Sequence, residues 1–126
     1  MTTSVLVTGT DDTSDARDEL RRLLDAHNPD IVVTGSRVGI EYQARAWARQ
    51  HDKAQINIPC GPRTGKLSEY KEWDDALFSA LFDEQTDCES LLVVATAGAR
   101  WPLVARCRVN GISIVEINSK QIGLFG

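Results

Sequence analysis

Residues Asp30 to Arg49 read DIVVTGSRVGIEYQARAWAR, a strand, a glycine turn and a helix in one line. Ile31, Val32 and Val33 form a short β-branched run, and Ile40, Ala44, Trp47 and Ala48 then recur at helical spacing. Between the two patterns, Gly35 and Gly39 allow a tight turn. A strand that stops at such a turn leaves backbone N–H groups at the head of the next helix. Those donors, the helix dipole and Arg37 together suit a phosphate or another anion. The alternative is a plain strand-to-helix connection whose glycines serve geometry alone, and these residues by themselves leave both readings open.

The same pattern returns on either side of this stretch. Val5, Leu6 and Val7, followed by Thr8-Gly9-Thr10, predict a first buried strand ending in a turn. Asp11, Asp12, Thr13 and Ser14 offer capping oxygens to a helix that places Ala16, Leu20, Leu23 and Leu24 on one face, and Asn28-Pro29 stops it. Ile56 to Ile58 predict a third short strand. Ser68 to Gln85 predict a helix capped by Ser68, with Trp73, Ala76, Leu77, Ala80 and Leu81 on its core stripe and Phe78 and Phe82 widening it. Leu91 to Ala95 is the strongest apolar run and predicts the fourth strand. Pro102 suits the first turn of the helix that follows, Asn110-Gly111 its end, and Ile112 to Ile117 a fifth strand. Strict alternation of strand and helix predicts a three-layer α/β domain built on a mostly parallel five-stranded sheet, because parallel neighbours need helical crossovers. Ligands of such sheets bind at the carboxyl ends of the strands, so the turns after strands one, two and four are expected to gather on one edge.

Composition narrows the partners. The chain has 126 residues, 42% hydrophobic and 25% charged, with a net charge of −4, which fits a single globular domain and disfavours a protein that coats nucleic acid. Cys60, Cys88 and Cys107 are far apart, with no CxxC and no histidine at ligand spacing, so neither a disulfide framework nor a metal site is indicated and a reducing cytoplasm is the expected compartment. The first residues show no secretory pattern, and no apolar run approaches the roughly 18 residues of a membrane span. In Gly61-Pro62-Arg63-Thr64-Gly65-Lys66 the spacing is one residue short of a P-loop, and Leu67 stands where Ser or Thr would reach magnesium. What remains is a loop with two cations, Arg63 and Lys66, as possible ligand contacts.

On VLVTGT at the first strand, VVTGSRVGIEYQARAWA around the second and VVATAGAR at the fourth, the sequence resembles the SLOG superfamily, and within it the short YspA/YpsA-like proteins related to the Lonely Guy phosphoribohydrolases. The resemblance spans roughly Val5 to Ile117. It implies a Rossmann-like domain for nucleotides or nucleotide-derived signals, ADP-ribose-like molecules and nucleoside phosphates among them. The turns at the strands' carboxyl ends supply the candidate ligand contacts: Gly9, Thr10 and Asp11 after the first strand. Gly35, Ser36, Arg37, Gly39 and Glu41 follow the second, and Thr96, Gly98, Arg100 and Trp101 the fourth. No cofactor is implied.

The superfamily holds both enzymes and sensors. Its hydrolase branch carries a Pro-Gly-Gly-x-Gly-Thr-x-x-Glu turn after the fourth strand, and here that stretch runs from Thr96 to Val104 with only Gly98 preserved and Leu103 near the place of the glutamate. The expectation is therefore a binding protein, a sensor or a sequestering protein, with an N-ribosyl hydrolase acting on a nucleoside monophosphate as the alternative. Trp101 suits stacking on a base or packing on a neighbour, Trp47 and Trp73 sit on core stripes, and His27 and His51 lie at helix ends, where terminal carbonyls are the usual partners. A homodimer or higher homo-oligomer is expected, because Phe78, Leu81 and Phe82 broaden one helix and Ile122, Leu124 and Phe125 follow the last strand in the segment 119–126.

Overall fold

Each β-branched run of this chain finds its partner through an intervening helix, and that makes every strand pairing parallel. The computed structural model describes residues 2–59, 67–81, 88–95 and 100–117. Along them run β1 (Thr2–Thr8), α1 (Ser14–His27), β2 (Ile31–Thr34), α2 (Ile40–Gln50) and β3 (Ala54–Asn57), then α3 (Leu67–Leu81), β4 (Cys88–Ala95), α4 (Trp101–Val109) and β5 (Ser113–Ile117). The fold is α/β, and the strands lie in the order β3-β2-β1-β4-β5. Val5 of β1 stands opposite both Val32 of β2 and Leu91 of β4, and Leu92 stands opposite Ile114 of β5.

Because successive strand residues face opposite sides, the sheet divides the core in two. Val5, Val7, Val32 and Ile117 pack with Ala16, Leu20 and Leu24 of α1 and with Ile40, Ala44, Trp47 and Ala48 of α2. Leu6 and Val33 face the other way, onto Trp73, Leu77, Phe78 and Leu81 of α3 and Leu103, Val104 and Cys107 of α4. The helices thus form one pair on each side of the sheet. Each of the largest of these side chains contributes roughly 1.5–3 kcal/mol on burial, which is why neighbouring turns can carry polar and strained residues.

Local chemistry fixes the helix ends. Thr13 caps α1 by accepting the Ala16 N–H at 3.2 Å, and Asn28 closes it in a left-handed conformation (φ 46°), its N–H donating to the Leu24 carbonyl at 2.8 Å. Pro102 lies in the first turn of α4, as expected, and Asn110 caps its end.

Three expectations are corrected. β3 begins at Ala54 rather than Ile56, because the Ala54 N–H already donates to the Asp30 carbonyl (3.1 Å) and draws the chain alongside β2. Ser68 does not cap α3, since the helix already includes Leu67. Phe78 and Leu81 do not form an uncovered face: they are 7% and 1% exposed and belong to the second core. Phe82, the end of the expected helix at Gln85 and the segment 119–126 lie outside the described residues, and so does the rest of the oligomer argument. Among the described residues, no helix is long and apolar enough to cross a membrane.

Candidate functional site at the carboxyl edge of the sheet

Strand order reverses direction between β1 and β4, and in open α/β sheets the crevice along the carboxyl edge at such a point is where ligands generally bind. On one side the β1 exit runs through Gly9, Thr10 and Asp11 to the capped start of α1. Asp11 is buried, and its Oδ1 accepts the Thr13 N–H at 2.9 Å, which folds the loop against the body. Beside it, the turn after β2 passes through Gly35, Ser36, Arg37, Val38 and Gly39 into α2. The two turns touch. A Cβ on Gly39, where φ is 83°, would overlap the Thr10 carbonyl, and one on Gly35 would overlap the Trp73 ring and lie 2.9 Å from Glu41 Oε1. Ser36 is exposed and also takes positive φ, at 64°.

Glu41 locks the two turns together. Its side chain is 1% exposed and accepts from Arg37 Nη2 (2.6 Å), Arg37 Nε (2.9 Å), the Gly9 N–H (2.8 Å) and the Arg37 N–H (3.2 Å). Arg37 Nη2 also donates to Thr8 Oγ1 at 3.3 Å, and the guanidinium carbon lies 4.9 Å from the centroid of the Trp73 ring. Arg45 closes the arrangement from behind, donating to the Arg37 carbonyl at 3.1 Å and to Thr34 Oγ1 at 3.4 Å. Thr34 Oγ1 in turn donates to Asn57 Oδ1 at 3.1 Å.

Across the crevice, Arg100 precedes α4 and forms a two-pronged pair with Asp74 of α3, from Nε at 3.0 Å and Nη2 at 2.8 Å, while its guanidinium lies over the Tyr70 ring at 4.6 Å. Trp101, next in the chain, is 49% exposed. Arg106, further along α4, pairs with Asp75, and an open hollow of about 440 Å³ lies here, lined by Lys71, Asp74, Asp75, Arg100, Pro102, Leu103 and Arg106.

The expected contact residues therefore separate into groups. Gly9, Thr10, Asp11, Gly35, Ser36, Arg37, Gly39 and Glu41 come together at the ends of β1 and β2, and Arg100 and Trp101 stand at the head of α4. Glu41 is enclosed, so its part is internal. Arg37 and Arg100 are each held by a buried carboxylate. Thr96, Gly98, Arg63 and Lys66 lie outside the described residues. Trp73 is expected only as packing; its contact with Arg37 joins the turn after β2 to α3, and no local pattern in the sequence signals that approach. Arg37 and Glu41, opposite charges four residues apart, were a legible signal. His51 behaves as expected of a helix end: Nδ1 lies 2.9 Å from the Trp47 carbonyl. Among the described residues, no group of three or more His, Cys, Asp or Glu side chains gathers to hold a metal.

Chemically, the edge offers donors and aromatic surface. The starts of α2 and α4 have no side-chain cap, in contrast to α1, and Pro102 leaves the first turn of α4 one N–H short. Comparison of the chain with protein-family models, curated proteins and solved structures finds no match.

Proposed function

We propose that this chain binds a nucleotide or a nucleotide-derived signalling molecule, ADP-ribose-like or a nucleoside phosphate, as a sensor or sequestering protein with a Rossmann-like domain of SLOG type. The observation that carries the reading is the turn after β2, where an uncapped helix start lies beside an arginine fixed by a buried glutamate. Phosphate oxygens are bound by such a combination of backbone donors, helix dipole and guanidinium. The strand order, with its reversal between β1 and β4, supports the same edge as the ligand side. Trp101, half exposed at the head of α4, supplies a flat surface on which a base can stack.

Ribosyl-bond hydrolysis has less to stand on. It needs a carboxylate beside the ribosyl carbon and an acid for the leaving base. The two buried carboxylates nearest the crevice that form ion pairs, Glu41 and Asp74, are each occupied by an arginine. Isothermal titration calorimetry with AMP, ADP, ADP-ribose and adenosine tests the proposal. Saturable binding of at least one phosphate-bearing compound, with release of base absent on prolonged incubation, is the expected result; no heat from any of them overturns it.

A further inference from the structure

An ion pair taken out of water is an expensive way to join two turns. Burying a carboxylate and a guanidinium strips both of water before their attraction is counted, and well-packed apolar residues of similar volume often serve stability as well or better. Glu41 and Arg37 nevertheless stand at the ligand edge with side chains only 1% and 17% exposed. Their geometry is restrictive. Nε donates to Glu41, Nη2 donates to both Glu41 and Thr8, and the Trp73 ring lies against the guanidinium. Nη1 is the guanidinium nitrogen with no hydrogen bond among the described residues. The Gly9 N–H on the same carboxylate ties this arrangement to the β1 exit, so the guanidinium is oriented relative to both turns at once.

We infer that Glu41 is a positioning residue, which fixes Arg37 so that a ligand's anionic oxygen is taken through Nη1 alone. The two-pronged grip that arginine usually gives a phosphate is spent inside the protein. The site therefore meets the ligand through the two N–H groups of Nη1 and leaves the remaining phosphate oxygens to backbone donors. This deepens the proposed function and rests on it. Glu41→Gln keeps the size of the side chain but replaces one acceptor oxygen by an amide donor facing other donors, and so releases Arg37.

The test uses the full chain, labelled with nitrogen-15. The Arg37 Nε–H signal, assigned by its loss in Arg37→Met, is expected to be resolved and slow to exchange with water, and to become fast in Glu41→Gln. AMP is expected to bind the unmodified chain more tightly than adenosine does, and Glu41→Gln to weaken AMP about tenfold while leaving adenosine within about twofold. Combined with Arg37→Met, Glu41→Gln is expected to add less than about twofold, since both remove one contact. A fast-exchanging Nε–H in the unmodified chain overturns the inference whatever binds. Unchanged AMP affinity in Glu41→Gln, or additive losses in the double variant, also overturns it while the nucleotide reading stands. Failure of every nucleotide to bind removes that reading and this one with it. Should Glu41→Gln fail to fold, Thr8→Val, which removes the second acceptor of Nη2, is expected to quicken the Nε–H exchange and weaken AMP about twofold, and no change in either overturns the inference.

Discussion

Gly39 and Gly111 both adopt positive φ, at 83° and 75°, but only Gly39 is crowded. A Cβ at Gly111 meets nothing within 4 Å, whereas one at Gly39 meets the backbone of Thr10 and Asp11, which cannot rotate away. Gly111→Ala is expected to cost about 1–2 kcal/mol from the dihedral alone, and Gly39→Ala about 2–5 kcal/mol once the overlap is added, read from urea denaturation midpoints. On sequence grounds Gly39 suits close backbone approach or an unusual dihedral; it has both, and the backbone that approaches it is that of the neighbouring turn, so its substitution acts on folding as well as on binding. Arg37 changes its meaning similarly. Arg37→Ala strands the Glu41 carboxylate in the interior, and a stability loss of about 3–5 kcal/mol is expected, against well under 1 kcal/mol for a solvated surface arginine. A loss near zero in chemical denaturation would mean that Glu41 is not buried as a charged partner.

Elements of this protein were easier to read than contacts between them. The α1 boundary was legible because its signals are local: Thr13 supplies the cap, Asn28 the left-handed stop, and Pro29 the break. Thr13→Ala is accordingly expected to lower stability by about 0.5–2 kcal/mol without altering the Glu41–Arg37 pair, checked by thermal melting. The start of β3 has no local signal, because Ala54 and Gln55 have no β-branched character and join the sheet through pairing with Ile31 and Val32, a tertiary influence. The candidate site was legible in its backbone turns, which glycine and small residues announce. Its side-chain pairings were not, since Trp73 with Arg37 and Asp74 with Arg100 join residues 36 and 26 positions apart, on different elements. α4 carries a further element-scale consequence. Burial pushes the Cys107 thiol from its ordinary value near 9 up to about 11, with the Arg106 charge opposing the shift. The unfolded thiol ionises first, so this contribution to stability is intact below about pH 9 and is lost as pH rises toward 11. Denaturation midpoints are expected to fall more steeply across that range than in Cys107→Ala.

At the scale of the whole molecule, α3 supports both sides of the crevice. Trp73 lies against Arg37 at the β2 turn, and its neighbour Asp74 holds Arg100 at the head of α4, so the two arginines are held at consecutive residues of one helix. The same packing gives each tryptophan its own surroundings. The Trp47 indole N–H donates to Asp25 Oδ1 at 2.8 Å with His51 stacked on the ring at 4.3 Å, Trp73 carries a guanidinium, and Trp101 is half in water. The three indoles are therefore expected to emit from distinguishable environments and to serve as optical reporters within the chain. With Trp47 and Trp101 replaced by Phe, the emission band of Trp73 is expected to stay in place when AMP saturates the protein, because Arg37 does not leave the ring, and to move in Glu41→Gln. With Trp47 and Trp73 replaced instead, the Trp101 band is the one expected to dim as a base settles on it, giving a colour-coded separation of phosphate capture from base capture in a single cuvette.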